Sequence, residues 1–198
     1  MKFPISIQNL INHFSSLPTV GPKTAERYVF YLLKQNPEEL QKFAQSIAEL
    51  KEKTTICQTC LAVAETNPCA ICTDNKRDNS LICVVASTQD MLTIEATKQF
   101  SGIYHILGGL INTIEGINPD KLYINKLVDK IKKNNIKELI LALNPNLEGE
   151  TTSLYLAKLL KNNNMIISRL AKGLPSGSNL EYADEMTLTS ALKNRTDL

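Results

Sequence analysis

Tryptophan is absent from this 198-residue chain, histidine occurs twice, and aromatic side chains make up only 6% of it. Set against abundant Lys, Asn and Ile, the missing tryptophan reads as base-composition bias and carries no functional weight. No apolar run approaches the roughly 20 residues needed to cross a bilayer, so no membrane-spanning helix is expected. The opening Met1-Lys2-Phe3-Pro4 has neither a long apolar stretch nor a small-residue cleavage site, so no secretory signal is expected and the location is expected to be cytoplasmic. Excess charge is missing too: 22 basic against 20 acidic residues leave a formal +2. That balance argues against global polyelectrolyte attraction, and any contact with nucleic acid has to come from local clusters. What is present is ordinary globular material, 43% hydrophobic and 21% charged, long enough to bury a core as one domain or two small ones.

Cysteine usage is the departure from the ordinary. A chain that is not exported sits in a reducing compartment where disulfides rarely persist, yet four of the five cysteines fall within sixteen residues. Cys57-x-x-Cys60 and Cys69-x-x-Cys72 form two knuckles eight residues apart, with Pro68 and polar neighbours suited to the turns. Zinc takes four thiolates tetrahedrally, and a two-residue gap lets both sulfurs of a knuckle reach one ion. With every ligand position filled by protein, one structural Zn2+ per chain is expected. A redox pair, or four unrelated buried cysteines, stands as the alternative. Cys83, between Ile82 and Val84, reads as a small core residue.

Along the chain, Ile7, Leu10, Ile11 and Phe14 lie at helical spacing, and a turn over Leu17–Thr24 with two prolines and a glycine follows. A second helix carries Ala25, Tyr28, Val29, Leu32 and Leu33 on one face. Asn36 caps a third, with Pro37 at its first position and Leu40, Phe43, Ala44 and Ile47 as its stripe. Beyond the cysteines the texture changes to short apolar strands alternating with helices. Strands are expected at Leu81–Val85, Tyr104–Leu107, Glu138–Leu143 and Met165–Leu170. Helices are expected from Ser87 or Thr88 to Lys98, over Pro119–Lys133 and over Thr152–Lys161. That alternation predicts a parallel α/β sheet covered on both faces. The remainder opens as a Gly/Pro/Ser loop and ends in a helix with Met186, Leu188 and Leu192. There is no internal repeat and no low-complexity block.

The turn at Leu17–Thr24 resembles a helix-hairpin-helix, in which backbone N–H groups at a helix start favour a phosphate. Lys23 and Arg27, one turn apart, would add charge there. A Pro/Gly turn between core helices is the plainer alternative, and Thr19 stands where the usual motif has glycine. Through residue 36, Lys2, Lys23, Arg27 and Lys34 are opposed only by Glu26.

Further segments complete a pattern. Cys83-Val84-Val85 is followed by Asp90 and by Gly102-x-Tyr104-His105-Ile106-Leu107-Gly108-Gly109. Leu141-Ala142-Leu143-Asn144-Pro145-Asn146-Leu147-Glu148-Gly149-Glu150-Thr151 leads to Arg169-Leu170-Ala171-Lys172-Gly173-Leu174-Pro175 and Leu180-Glu181-Tyr182-Ala183-Asp184-Glu185-x-Thr187-Leu188. In this order, after a hairpin and a four-cysteine site, the chain resembles the RecR family of bacterial recombination mediators over nearly its whole length. The resemblance implies an α/β protein in four parts. These are a helix-hairpin-helix DNA-binding unit at 1–53, a zinc module at 54–78, a Toprim domain with a mainly parallel sheet at 79–172, and a C-terminal tail at 173–198. The tail is expected to pack on the Toprim domain and on a neighbouring subunit.

It further implies a homo-oligomeric ring, commonly a tetramer, able to encircle DNA and associated with the nucleoid during repair. RecO, and in many bacteria RecF, are the implied partners in loading RecA onto coated single-stranded DNA. Lys23 and Arg27 are the DNA-contacting residues carried over, and Cys57, Cys60, Cys69 and Cys72 the zinc ligands.

One departure bears on chemistry. Catalytic Toprim enzymes hold magnesium with a glutamate after this strand and a later Asp-x-Asp pair. Here those positions are Ala86, Asn144 and Asn146, and neutral amides are poor ligands for a hard divalent cation. No catalysis is therefore expected. A magnesium-dependent nuclease or primase-like enzyme is the alternative, and a zinc-stabilised adaptor without DNA affinity is a third reading. Glu148 and Glu150 read as a solvated acidic loop, with a displaced metal site as the competing view. The Lys121–Lys137 stretch reads as a solvated helix face or a DNA-facing one. His13 is expected at the surface, and His105 in a structural or interface role.

Overall fold

A computed structural model describes residues 3–196, and the chain divides into two compact units, Met1–Thr54 and Thr55–Leu198. The first is helical: α1 (Ile5–Ser15), α2 (Pro22–Leu32) and α3 (Pro37–Glu49). Ile11, Ala25 and Val29 form its small core, with Ile7, Phe14 and Val20 packed around them. Asn36 caps α3 as expected, its side chain accepting from the Glu39 N–H at 2.9 Å, and Pro37 sits at the first position.

The hairpin between α1 and α2 resolves the question raised by Thr19. Its φ is +65°, the left-handed conformation that a glycine would adopt without strain. The Leu17 carbonyl accepts from the Val20 N–H at 3.2 Å to close the turn. Threonine therefore keeps the turn geometry at a local steric cost rather than altering it.

In the second unit a two-stranded antiparallel ribbon, β1 (Thr55–Ile56) and β2 (Val63–Ala64), carries the first cysteine knuckle, and the four-residue α4 (Ala70–Thr73) carries the second. The main sheet comprises β3 (Asp78–Val85), β4 (Gly102–Ile106), β5 (Glu138–Leu141) and β6 (Ile166–Arg169). Its order is β4-β3-β5-β6 and every pairing is parallel. The connecting helices are α5 (Thr88–Ala96), α6 (Ile124–Lys133) and α7 (Leu147–Leu160), and α8 (Glu185–Lys193) closes the tail.

Alternation along β3 divides the core. Ile82 and Val84 face one side with Leu139, Leu127, Ile131, Leu156 and Leu160. Cys83 and Val85 face the other with Met91, Tyr104 and Ile106 and, from the knuckles, Cys57, Cys60, Leu61, Ala62 and Cys69. A period of two puts neighbours on opposite faces, so the part of β3 that is covered on both sides, Ile82–Val85, is apolar throughout, while its exposed start is polar.

Two helix boundaries differ from the sequence reading. The helix expected over Pro119–Lys133 is a 3-10 turn (Pro119–Lys121) followed by α6. Between them Leu122 is extended and buried, and the Tyr123 N–H donates to the Leu107 carbonyl at 2.9 Å. That tertiary bond holds the chain against the end of β4 and delays the helix. Conversely, α7 starts at Leu147 rather than Thr152, so Glu148 and Glu150 lie in a helical first turn and not in an acidic loop. Asn146 is its cap, accepting from the Gly149 N–H at 2.9 Å. Gly149 falls in that turn, and a Cβ there would stand 1.9 Å from the Asn144 carbonyl oxygen. The helix start lies so close to the preceding loop that only glycine fits.

Replacing Thr19 with Gly should relieve the left-handed strain and stabilise the chain by up to about 1 kcal/mol. Far-UV circular dichroism in a denaturant series measures this, and a lower midpoint in the variant would contradict it.

Candidate metal centre and nucleic-acid interface

The four sequence-predicted cysteines meet. Their sulfurs all lie within 4.8 Å of one another, with Cys60 and Cys69 Sγ atoms 3.6 Å apart and all five cysteines of the chain free of disulfides. A tetrahedral site with metal–sulfur bonds near 2.3 Å has sulfur–sulfur edges of about 3.8 Å, so the cluster fits one ion. Local hydrogen bonding builds it. The Leu61 N–H donates to the Cys57 carbonyl and the Cys57 N–H to the Ala62 carbonyl, both at 2.8 Å. Leu61 takes a φ of +70° to complete that knuckle. The Cys69 N–H donates to Cys57 Sγ at 3.4 Å, the kind of bond that favours a thiolate.

The electrostatics point the same way. Hydrogen bonding from Cys72 pulls the Cys60 thiol down to about 5. Burial pushes Cys69 up, and Cys72, sharing its proton with Cys60, is also driven upward. Four sulfurs this close cannot all carry charge unless a cation sits among them. Cys83 stays apart from this, its thiol pushed up to about 12 by burial alone.

Sequence reasoning did not single out Lys130. Its Nζ donates to the Thr59 carbonyl at 3.1 Å and to the Tyr104 carbonyl at 3.0 Å, tying the first knuckle to β4. Burial lowers its pKa, and the cysteine sulfurs oppose that shift. An ammonium next to a four-thiolate centre offsets part of its negative charge. Lys130 lies 71 positions from Thr59, and nothing in a lysine-rich helix marks it out. Arg77 makes a second tie, donating to the Gly102 carbonyl at 3.0 Å and pairing with Glu95. Tyr104 Oη also donates to Glu95, at 2.9 Å.

Two neighbouring connections, β3 to β4 and β5 to β6, run in opposite directions from the middle of the sheet. This makes the C-terminal ends of β3 and β5 a topological switch point, where open α/β sheets bind ligands. A crevice of about 300 Å3 lies there, lined among others by Asp90, Asn144, Glu150, Arg169 and Lys172. Ala86 supplies no ligand at its position, and Asn146 uses its side chain to cap α7. The Asp90 carboxylate accepts from the Ser87 N–H at 2.9 Å and the Ser87 hydroxyl at 2.7 Å in a capping box. Glu150 pairs with Lys172 and, at 3.2 Å, with Arg169. The Lys172 hydrogen bond is the main reason its carboxyl is held below the usual range. Among the described residues, the four cysteines are the only group of three or more metal-ligating side chains close enough to share an ion.

Lys23 and Arg27 lie on exposed positions of α2. Gly21 caps that helix without a side-chain hydrogen bond, Pro22 occupies its first position and no acidic residue falls in its first turn. Its N-terminal amides are thus uncovered by protein side chains. Lys23 Nζ is 3.3 Å from Glu26 with its side chain 93% exposed, an ion pair weak enough to exchange for a phosphate. His13 is exposed on α1. His105 is buried at 1% exposure, and its Nε2 donates to the Tyr123 carbonyl at 3.0 Å, a structural setting.

A parallel sheet in this order with a ligand crevice at its switch point, joined to a helical hairpin and a thiolate cluster, defines a Toprim-type protein with two accessory modules. The model of the Toprim domain matches residues 80–171. The models described as RecR, helix-hairpin-helix and RecR, C-terminal match 7–51 and 173–196. Recombination protein RecR of Bifidobacterium adolescentis is 48% identical over 190 residues, which is 96% of this chain and 95% of the relative. The proteins of that name from Staphylococcus haemolyticus and Staphylococcus aureus are each 42% identical over 198 residues, the full length of both partners. The chain belongs to the RecR family.

Freshly purified protein should carry one tetrahedrally bound metal ion. Cys57→Ser or Cys69→Ser should lower the metal content and destabilise the second unit. Metal analysis by mass spectrometry, with thermal denaturation of the same samples, checks both, and metal-free wild-type protein of full stability would contradict the assignment.

Proposed function

We propose that this chain is a non-catalytic, DNA-binding mediator of recombinational repair. It would act with RecO, and in organisms that have it RecF, to promote loading of RecA on gapped or single-stranded DNA. The observation that carries the DNA-binding part is the start of α2. There an N-terminus without a capping side chain or first-turn acid lies beside exposed Lys23 and Arg27, a setting that favours phosphate. Zinc is the proposed occupant of the cysteine cluster, since four thiolates in a closed tetrahedron suit that ion and leave no open coordination position. Its role is then structural.

A homo-oligomeric ring, in this family commonly a tetramer, is proposed on the resemblance. Two exposed apolar surfaces support it. One is the stripe of Phe43, Ile47 and Leu50 along and just past α3, and the other the tail residues Leu180, Tyr182, Met186 and Leu192. The tail would then pack against a neighbouring subunit.

Changing both Lys23 and Arg27 to Ala should weaken DNA binding about equally on all sequences and flatten its salt dependence, because phosphate contacts position without specifying. Fluorescence anisotropy over a salt series measures this, and an unchanged slope would move the interface off the hairpin.

The absence of catalysis rests on Ala86, Asn144 and Asn146 at the ligand positions and on Glu150 being held by two cations. No magnesium- or manganese-dependent cleavage, joining or primer synthesis is expected on single- or double-stranded DNA. Turnover that vanished in a Glu148→Gln/Glu150→Gln variant would make the chain an enzyme with a displaced metal site.

A further inference from the structure

A second crevice, of about 340 Å3, lies within the Thr55–Leu198 unit between the first cysteine knuckle and α6. Lys126, Lys130 and Lys133 line it with His105, Gln58 and Thr59, and Asp129 is the only acidic residue in the lining. The three lysines fall at i, i+4 and i+7, one stripe of the helix. The opposite stripe, Ile124, Leu127 and Ile131, is buried in the core. Core packing therefore fixes the lysine stripe facing the knuckle. Lys130 spends two of its three N–H donors on the Thr59 and Tyr104 carbonyls, which leaves one for a ligand. Lys126 and Lys133 are exposed.

We infer that this crevice is a second DNA contact, one that takes backbone phosphates, separate from the hairpin at α2. Three further observations favour a nucleic-acid strand over an acidic protein. Lys126 and Lys133 stand roughly 10 Å apart along the helix axis, about three nucleotide rises of a DNA strand. The lining has Leu61 as its one large aliphatic side chain and no Trp, Tyr or Arg, the residues that anchor protein partners. Tyr123, 39% exposed, lies beside the stripe and outside the lining, with Lys126 Nζ 5.1 Å from its ring centroid, so a base can stack on the ring when Lys126 turns to a phosphate. His105 adds a polar feature. With Nε2–H donated to Tyr123, its Nδ1 is a buried acceptor that has no partner among the described residues, and the residue lines the crevice.

This inference rests on the reading of the chain as a DNA-binding protein, and the test separates the two. Full-length wild-type, Lys126→Gln/Lys133→Gln and Lys23→Gln/Arg27→Gln proteins are titrated with labelled single-stranded and duplex oligonucleotides across a salt series by fluorescence anisotropy. Removing two phosphate contacts should reduce the slope of log K against log salt by about 1.8 on duplex or about 1.4 on single strands. The form showing the reduction identifies the strand bound here. Lys126→Arg/Lys133→Arg should retain the wild-type slope. Zinc content and thermal midpoint equal to wild type establish that the glutamine variant is folded. If that variant has lost either, the arginine variant decides, and a slope reduced there too overturns the inference. An unchanged slope in the glutamine variant, beside a reduced one in the hairpin variant, overturns the crevice and leaves the DNA reading standing. Wild-type protein without salt-dependent binding overturns the DNA reading, and this inference with it.

Discussion

The second unit depends on one arrangement, the sealing of a sheet face by the four-cysteine module. β3 is buried on both sides, and helices α6 and α7 cover only one of them. On the other, α5 contributes Met91, while Cys57, Cys60, Leu61, Ala62 and Cys69 complete the cover. The edge of β4 is tied to the same module, since the Ile106 N–H donates to the Cys60 carbonyl at 2.9 Å. A loop of this length has almost no periodic structure and could not hold that shape through apolar burial alone. Four clustered sulfurs make a cation the natural cross-link, and the energy of binding it becomes folding energy for the sheet face it covers. Lys130 and Arg77 extend the constraint, Lys130 reaching from α6 to the first knuckle and to β4, and Arg77 from the edge of the module to β4.

The switch-point crevice shows the same economy applied to charge. A catalytic Toprim site gathers carboxylates and neutralises them with a divalent cation. In this chain the two carboxylates that line the crevice are each committed to the protein, Asp90 to the α5 cap and Glu150 to Arg169 and Lys172. Two side-chain cations here stand where charge balance would otherwise call for a metal. The pairing also joins the start of α7 to the chain leaving β6. The sheet depends on Ile82, Val84, Leu139 and Leu141, and not on Ala86 or Asn144.

Much of this was legible in the residues. The alternation of strands and helices predicted a parallel sheet, the knuckle spacing predicted the cluster, and Asn36 and Ser87 predicted helix caps because each signal is local. What failed was what tertiary contact decides. Pro119–Lys133 has the composition of one helix, but the hydrogen bond from Tyr123 to Leu107 breaks it. Asn146 with an acidic first turn is a helix-start signal, but Glu148 and Glu150 read as a solvated loop because the turn's packing against Asn144 is not visible in sequence. Thr19 stands where the usual hairpin has glycine, yet its backbone takes the glycine conformation. Lys130 carried no signal at all, because its meaning comes from residues on other strands and loops.

The distribution of basic side chains follows from these constraints. In a chain with a formal net charge of +2, any affinity for DNA has to be concentrated where acids are kept away or neutralised. At the start of α2 this happens by the absence of first-turn acids. Along α6 it happens by core packing, which turns the apolar stripe inward and so brings three lysines to one crevice with a single aspartate among them. The two places lie in different compact units.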